Sequence, residues 1–235
     1  MFKDYKWILG DVMSNTILII GESGSGKSSS IRTLNPEETI IINVLDKPLP
    51  FKGFKKSYMR TATEDRKVNY FTTDDHKLIK ASVGKINNER PEVKNLIIDD
   101  FQYIMANQFM RKALEKGYDK FTEIGQSAWS IIKELTSCRE DLKCFVISHS
   151  DTDQYGKSKC KTIGKMLDDK ICLEGMFTIV LHSLIIDNKY KFLTQNDGAH
   201  LAKSPMGLFK EKYIDNDLGE INKMIDDYFN DDINQ

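Results

Sequence analysis

Residues 17–34, ILIIGESGSGKSSSIRTL, carry the residue types that bind phosphate. Gly21 to Ser28 follow the spacing Gly-x-x-x-x-Gly-Lys-Ser, with Glu22, Ser23 and Ser25 in the variable places and Ser29 directly behind. Gly21, Gly24 and Gly26 let the backbone curl around an anion with no Cβ in the way. The amides of that loop and of a following helix start would then face one centre, where their partial positive charge favours phosphate. Lys27 is suited to neutralise the β and γ phosphates, and the Ser28 hydroxyl to ligate Mg²⁺. A strand pattern before the motif and a helix pattern after it supply the context this chemistry needs.

A metal held on such a loop wants an acid at the end of a neighbouring buried strand. The run NLIIDD places Asp99 there, with capping of the next helix as its alternative role. Asp100 could polarise an attacking water or serve as the helix N-cap, and both roles stay open at this point. Two classes lack their marks: the chain has no Asn-Lys-x-Asp guanine reader and no Leu-Ser-Gly-Gly-Gln signature. Small-molecule kinases usually clamp the transferred phosphoryl group with lid arginines, and residues 151–170 contain none.

These residues need elements to hold them. Short apolar runs at 16–20, 39–45, 68–73, 95–99 and 143–148 read as buried strands. Apolar residues at Phe121, Ile124, Ala128, Ile131, Leu135, Cys138 and Leu142 predict one helical stripe from 121 to 142. Strands alternating with helices imply crossovers and a mostly parallel sheet. MFTIVLHSLIID, a turn at Asn188-Lys189 and YKFLTQ predict an edge β-hairpin. Leu218, Ile221, Ile225 and Tyr228/Phe229 mark a closing amphipathic helix. Residues 151–170 show no strand pattern and read as a long mobile loop, with room for a short helix in the second half.

The 235 residues suffice for one α/β domain with a sizeable core. With 34 basic and 35 acidic side chains, any nucleic-acid surface would be a local patch. Cys138, Cys144, Cys160 and Cys172 have no Cys-x-x-Cys spacing and read as buried or idle thiols in a reducing compartment. The opening MFKDYKWILGDVMSN lacks a signal-peptide apolar core, and MFTIVLHSLII is too short to span a bilayer. A cytoplasmic protein with no membrane partner is expected.

GESGSGKSS, NVLDKPLPF, LIIDDFQYIMANQFM, EKGYDKFTEIGQSAW, FVISHSD, TIGKMLDDKICLEGMFTIVLHS and AKSPMGLF resemble segments of the phage-encoded RecA-like ATPases of the Sak single-strand annealing and recombination group. The resemblance implies a RecA-like P-loop NTPase core that binds ATP and Mg²⁺ across Gly21–Ser29 and Asp99. It implies an ATPase that helps anneal or recombine DNA in the host cytoplasm, with nucleotide state switching DNA affinity. Single-stranded DNA, further copies of the chain and a single-strand DNA-binding protein are the implied partners.

The same resemblance suggests further roles. His149 ends the fifth strand, where such proteins sense the γ-phosphate and signal to a DNA-binding loop. Asp46 follows the second strand where RecA has its catalytic Glu, leaving the base open between Asp46 and Asp100. Lys157, Lys159 and Lys161 would contact DNA phosphates, with Tyr155 available to stack on a base. Lys203 would reach the γ-phosphate of a neighbouring subunit in trans. Two other classes remain beside this one: a P-loop phosphotransferase acting on a small metabolite, and a nucleotide-gated protein-binding module.

Overall fold

The computed structural model describes residues 15–164 and 166–231; the opening segment 1–14 lies outside the described residues. In chain order the elements are β1 (Thr16–Ile20), β2 (Thr39–Asn43), α1 (Phe54–Ser57), β3 (Tyr70–Thr72), α2 (His76–Glu89) and β4 (Asn95–Asp99). Then come α3 (Gln102–Arg111), α4 (Asp119–Leu135), β5 (Lys143–Ile147), β6 (Ser150–Thr152) and β7 (Ser158–Cys160). The chain continues through β8 (Ile179–Ile186), β9 (Lys189–Leu193), β10 (Tyr213–Asp215) and α5 (Leu218–Asp231).

Every residue of β1, β2, β4 and β5 is buried. Such runs arise where a parallel strand is covered on both faces. The period of two then divides their side chains. Leu18, Ile20, Ile42, Ile98 and Val146 face a layer of helices α2, α3 and α4. Ile17, Ile19, Ile41, Ile97 and Phe145 face Ile31 and the α5 residues Leu218, Ile221 and Ile225. Burying each of those three α5 side chains stabilises its docking by roughly 1.5–3 kcal/mol.

The sheet runs β10-β9-β8-β1-β5-β4-β2-β3. The pairings from β3 through β8 are parallel, while β8-β9 and β9-β10 are antiparallel. This is an α/β fold with a large, mostly parallel sheet flanked by helices. No helix among the described residues is long and apolar enough to cross a membrane.

Four expectations change in detail. The hairpin forms, but its turn is Asp187-Asn188, both with positive φ (50° and 59°), as a tight two-residue hairpin turn requires. It is not the edge either, because β10 pairs outside β9. Residues 151–170 are not a strandless loop, because β6 and β7 pair as a separate antiparallel ribbon; the short helix expected in the second half does form, as a wide turn over Met166–Ile171. The α4 helix stops at Leu135, although Cys138 and Leu142 remain buried beyond it. The element after the glycine loop is a six-residue 3₁₀ turn, Ser28–Thr33.

Candidate functional site

The chain leaves β1 at Ile20 and runs through Gly21–Lys27 into the 3₁₀ turn that begins at Ser28. A Cβ on Gly21 would lie 2.6 Å from the Ser183 carbonyl oxygen of β8, so only glycine lets the loop pass this close. At Gly26 φ is +95° and a Cβ would sit 2.5 Å from the Tyr190 ring of β9. Both position and conformation exclude a side chain there. The buried Ser183 hydroxyl donates to the Ser25 carbonyl at 2.7 Å and fastens the loop to β8. Glu22, Ser23 and Gly24 form its exposed rim. The amides of Ser23, Gly24, Gly26 and Lys27 donate to no acceptor among the described residues.

Lys27 is buried beneath that rim. Its ammonium donates to the carbonyls of Gly21 at 2.9 Å and Glu22 at 2.7 Å. Burial pulls its pKa down to about 8, and nearby Asp100 and Asp99 oppose the drop. The lysine therefore stays mostly charged at neutral pH. Unpaired amides around a buried cation can take an anion.

Ser28, the first residue of the 3₁₀ turn, donates its hydroxyl to Asp99 Oδ1 at 2.9 Å. Asp99 ends β4, which is not the immediate neighbour of β1; β5 lies between them. The contact therefore reaches across the end of β5. Burial, then the adjacent Asp100 charge, push the Asp99 pKa up to about 6, against the Ser28 hydrogen bond. A hydroxyl and a carboxylate brought together suit a hard cation such as Mg²⁺.

Asp100 is buried with a left-handed backbone (φ 66°), a conformation that strains a non-glycine residue. One carboxylate oxygen pairs with Lys47 Nζ at 2.7 Å, and the other lies 3.7 Å from His149 Nε2. Burial raises its pKa, but the nearby His149 and Lys47 side chains outweigh it and hold the group below the usual value. Neither acid caps α3: the N-cap position is Phe101, which has no side chain to do so. The capping roles are therefore set aside. Gln102 accepts from the His149 amide at 3.1 Å and the Ser148 hydroxyl at 3.2 Å, fixing the exit of β5.

The other predicted residues lie elsewhere. Asp46 is half exposed and its carboxylate is engaged by Arg60 and by the Thr72 hydroxyl (3.1 Å), not by any residue of the glycine loop. Lys203 pairs its backbone with Val180 in an antiparallel bridge. Lys157 and Lys161 are exposed on or beside the ribbon, and Lys159 lies within β7 between them. That alternation puts the three on one face of the strand, opposite Ser158 and buried Cys160. The ribbon is tied to the site: the Ser150 amide donates to the Gly21 carbonyl at 3.1 Å and the Lys161 amide to the His149 carbonyl at 2.8 Å.

Sequence reasoning passed over Lys47, Gln102, Ser183 and Tyr190. Lys47 was findable, because residues just past the C-terminal ends of parallel strands line the crevice where α/β sheets bind ligands. Ser183 and Tyr190 were not, since only the strand order brings β8 and β9 to the loop. No protein-family model matches the chain, and no curated protein matches it.

Proposed function

We propose that the chain is a RecA-like P-loop ATPase that binds MgATP and uses hydrolysis to switch its affinity for single-stranded DNA during annealing or recombination. The observation that carries the reading is the meeting of Ser28 with Asp99 beside buried Lys27. On binding, Lys27 exchanges the Gly21 and Glu22 carbonyls for β and γ phosphate oxygens, and the loop amides take the rest. Ser28 and Asp99 would hold the magnesium ion, which neutralises phosphate charge when bound.

Asp100 is the better choice of base than Asp46, whose carboxylate Arg60 and Thr72 already occupy. It orients water for in-line attack on the γ-phosphorus and accepts the water's proton. As the new P–O bond forms, the bond to the bridging oxygen breaks and ADP leaves with the electron pair. His149, against the same carboxylate, senses whether the γ-phosphate is present. The ribbon anchored on His149 and Gly21 relays that state to Lys157, Lys159, Lys161 and the exposed Tyr155. Lys203 acts in trans in a homo-oligomer, and a single-strand DNA-binding protein supplies the DNA.

The test is ATP turnover with and without saturating single-stranded DNA at low salt. A severalfold stimulation is expected. Turnover that DNA leaves unchanged removes the DNA role, and absence of turnover removes the enzyme. A second reading, phosphotransfer to a small acceptor, draws on a cavity of about 310 Å³ beside the loop, lined by Ser23, Ser150, Thr152, Ser158, His182 and His200. ADP release that requires an added acceptor would favour it.

A further inference from the structure

The turn after β2 sends two adjacent charges in opposite directions. Asp46 adopts a left-handed conformation (φ 59°) and turns to Arg60 and Thr72, while Lys47 turns to Asp100. The direction of Lys47 is built in from behind. Its carbonyl accepts from the Nδ2 of Asn43, itself buried, at 2.9 Å and from the Tyr70 hydroxyl at 3.3 Å. Pro48 follows and stiffens the exit. The side chain then passes Tyr103, with its ammonium 5.9 Å from the ring centroid, and ends 2.7 Å from Asp100 Oδ2.

A surface lysine that merely happened to pair would have no such framework. Its partner carboxylate is almost wholly buried, whereas the lysine itself is half exposed. The framework thus holds a solvent-reaching cation against a buried acid from one side, while His149 faces that acid's other oxygen at 3.7 Å.

We propose that Lys47 is a positioning residue for the hydrolytic step: it pins one oxygen of Asp100 so that the other faces the attacking water. The inference rests on the reading of Asp100 as the group that orients water. Lys47 touches the acid and leaves the binding of phosphate to Lys27. Its loss therefore misplaces the acid without weakening nucleotide binding.

The test is steady-state ATP turnover by the full chain carrying Lys47→Met, Lys47→Arg, Asp100→Asn, and Lys47→Met with Asp100→Asn. Lys47→Met is expected to lower kcat by about tenfold to hundredfold with KM changed less than about twofold, and Lys47→Arg to recover most of the loss. In the Asp100→Asn background, Lys47→Met should cost less than about twofold more, because there is no carboxylate left to position. Melting curves of the single variants check that each is folded; if Lys47→Met does not fold, Lys47→Gln, which also removes the charge, takes its place with the same expected loss and the same comparison in the Asp100→Asn background. Unchanged kcat, a change confined to KM, or losses that multiply in the double variant would overturn the inference while the ATPase reading stands. Full turnover by Asp100→Asn overturns the base assignment and this inference together. No turnover by the unaltered protein removes the ATPase reading first.

Discussion

Two histidines stand on either side of β1, and they do opposite things. His149, just past β5, keeps its ring partly open and faces the Asp100 carboxylate. His182, in β8, is 2% exposed and has its Nδ1 3.3 Å from the Ser158 hydroxyl, which itself accepts from the Leu201 amide. Burial, then the nearby ring of His200, pull the His182 pKa down to about 4. One flank of the loop gathers charges that oppose each other across a small space. The other is fastened by neutral hydrogen bonds. The difference teaches where change can occur: the β5 flank holds groups whose partners a ligand can replace, and the β8 flank holds the loop still while that happens.

The largest effect should fall on the first flank. Lys27→Ala removes the buried cation and should reduce ATP turnover by about thousandfold, roughly 4 kcal/mol in the barrier, measured by phosphate release. Melting temperature should shift by only a few degrees, since a buried charge is itself costly to keep. Retained turnover would erase the distinction between the flanks. The second effect belongs to His182. An exposed histidine, as in the unfolded chain, has a pKa of about 6.5, whereas the native His182 value is about 4. Across that window the unfolded chain binds more protons, so stability falls as pH falls. The expected loss is roughly 3 kcal/mol between about pH 6.5 and 4, seen in denaturant melts. The charged or titratable neighbours, His200, Asp197 and Lys27, modulate it. His182→Phe should flatten that part of the profile; an unchanged slope would show that His182 is not the source.

The first flank was largely legible in the chain. Gly21 to Ser28 and Asp99 stand out by spacing and by the apolar strands that precede them, and the structure brings Ser28 and Asp99 together. The order β8-β1-β5-β4 leaves no local mark. Nothing in NLIIDD says that β5 would separate it from the loop strand, so Asp99 seemed nearer than its strand is. Ser183 and Tyr190 look like ordinary hairpin residues until the hairpin is laid beside the loop. The resemblance offered Asp46 beside Asp100 as a base; in the structure Asp46 takes a left-handed turn toward Arg60, and the next residue, Lys47, is the one that faces Asp100. The ribbon was missed because Ser150–Thr152 and Ser158–Cys160 are too short and too polar to alternate visibly.

A smaller effect sharpens the comparison on the second flank. Ser183→Ala leaves the Ser25 carbonyl without its buried donor and Asn216 Nδ2 without an acceptor 3.4 Å away. The cost should be about 1–3 kcal/mol of stability, read as a melting shift of a few degrees. ATP affinity should weaken with it, since the loop is no longer fastened. A stability loss with unchanged affinity would mean that the loop holds its shape without β8.

The smallest effect tests what joins the flanks. The ribbon starts beside His149 and returns to Ser158, whose hydroxyl touches His182, so it connects the two flanks. If nucleotide state is to reach DNA, it passes through this stretch to the face carrying Lys157, Lys159 and Lys161. Each lysine that meets a phosphate of a single strand contributes about 0.7 to the dependence of log affinity on log salt. Replacing all three with glutamine should therefore make that slope shallower by about 2, with each alone changing binding by well under about 1 kcal/mol. Basal ATP turnover without DNA should hold, because all three lie on or beside the ribbon and not in the glycine loop. A slope that does not move would assign the ribbon to the fastening flank alone, and the DNA surface would have to be sought on another face.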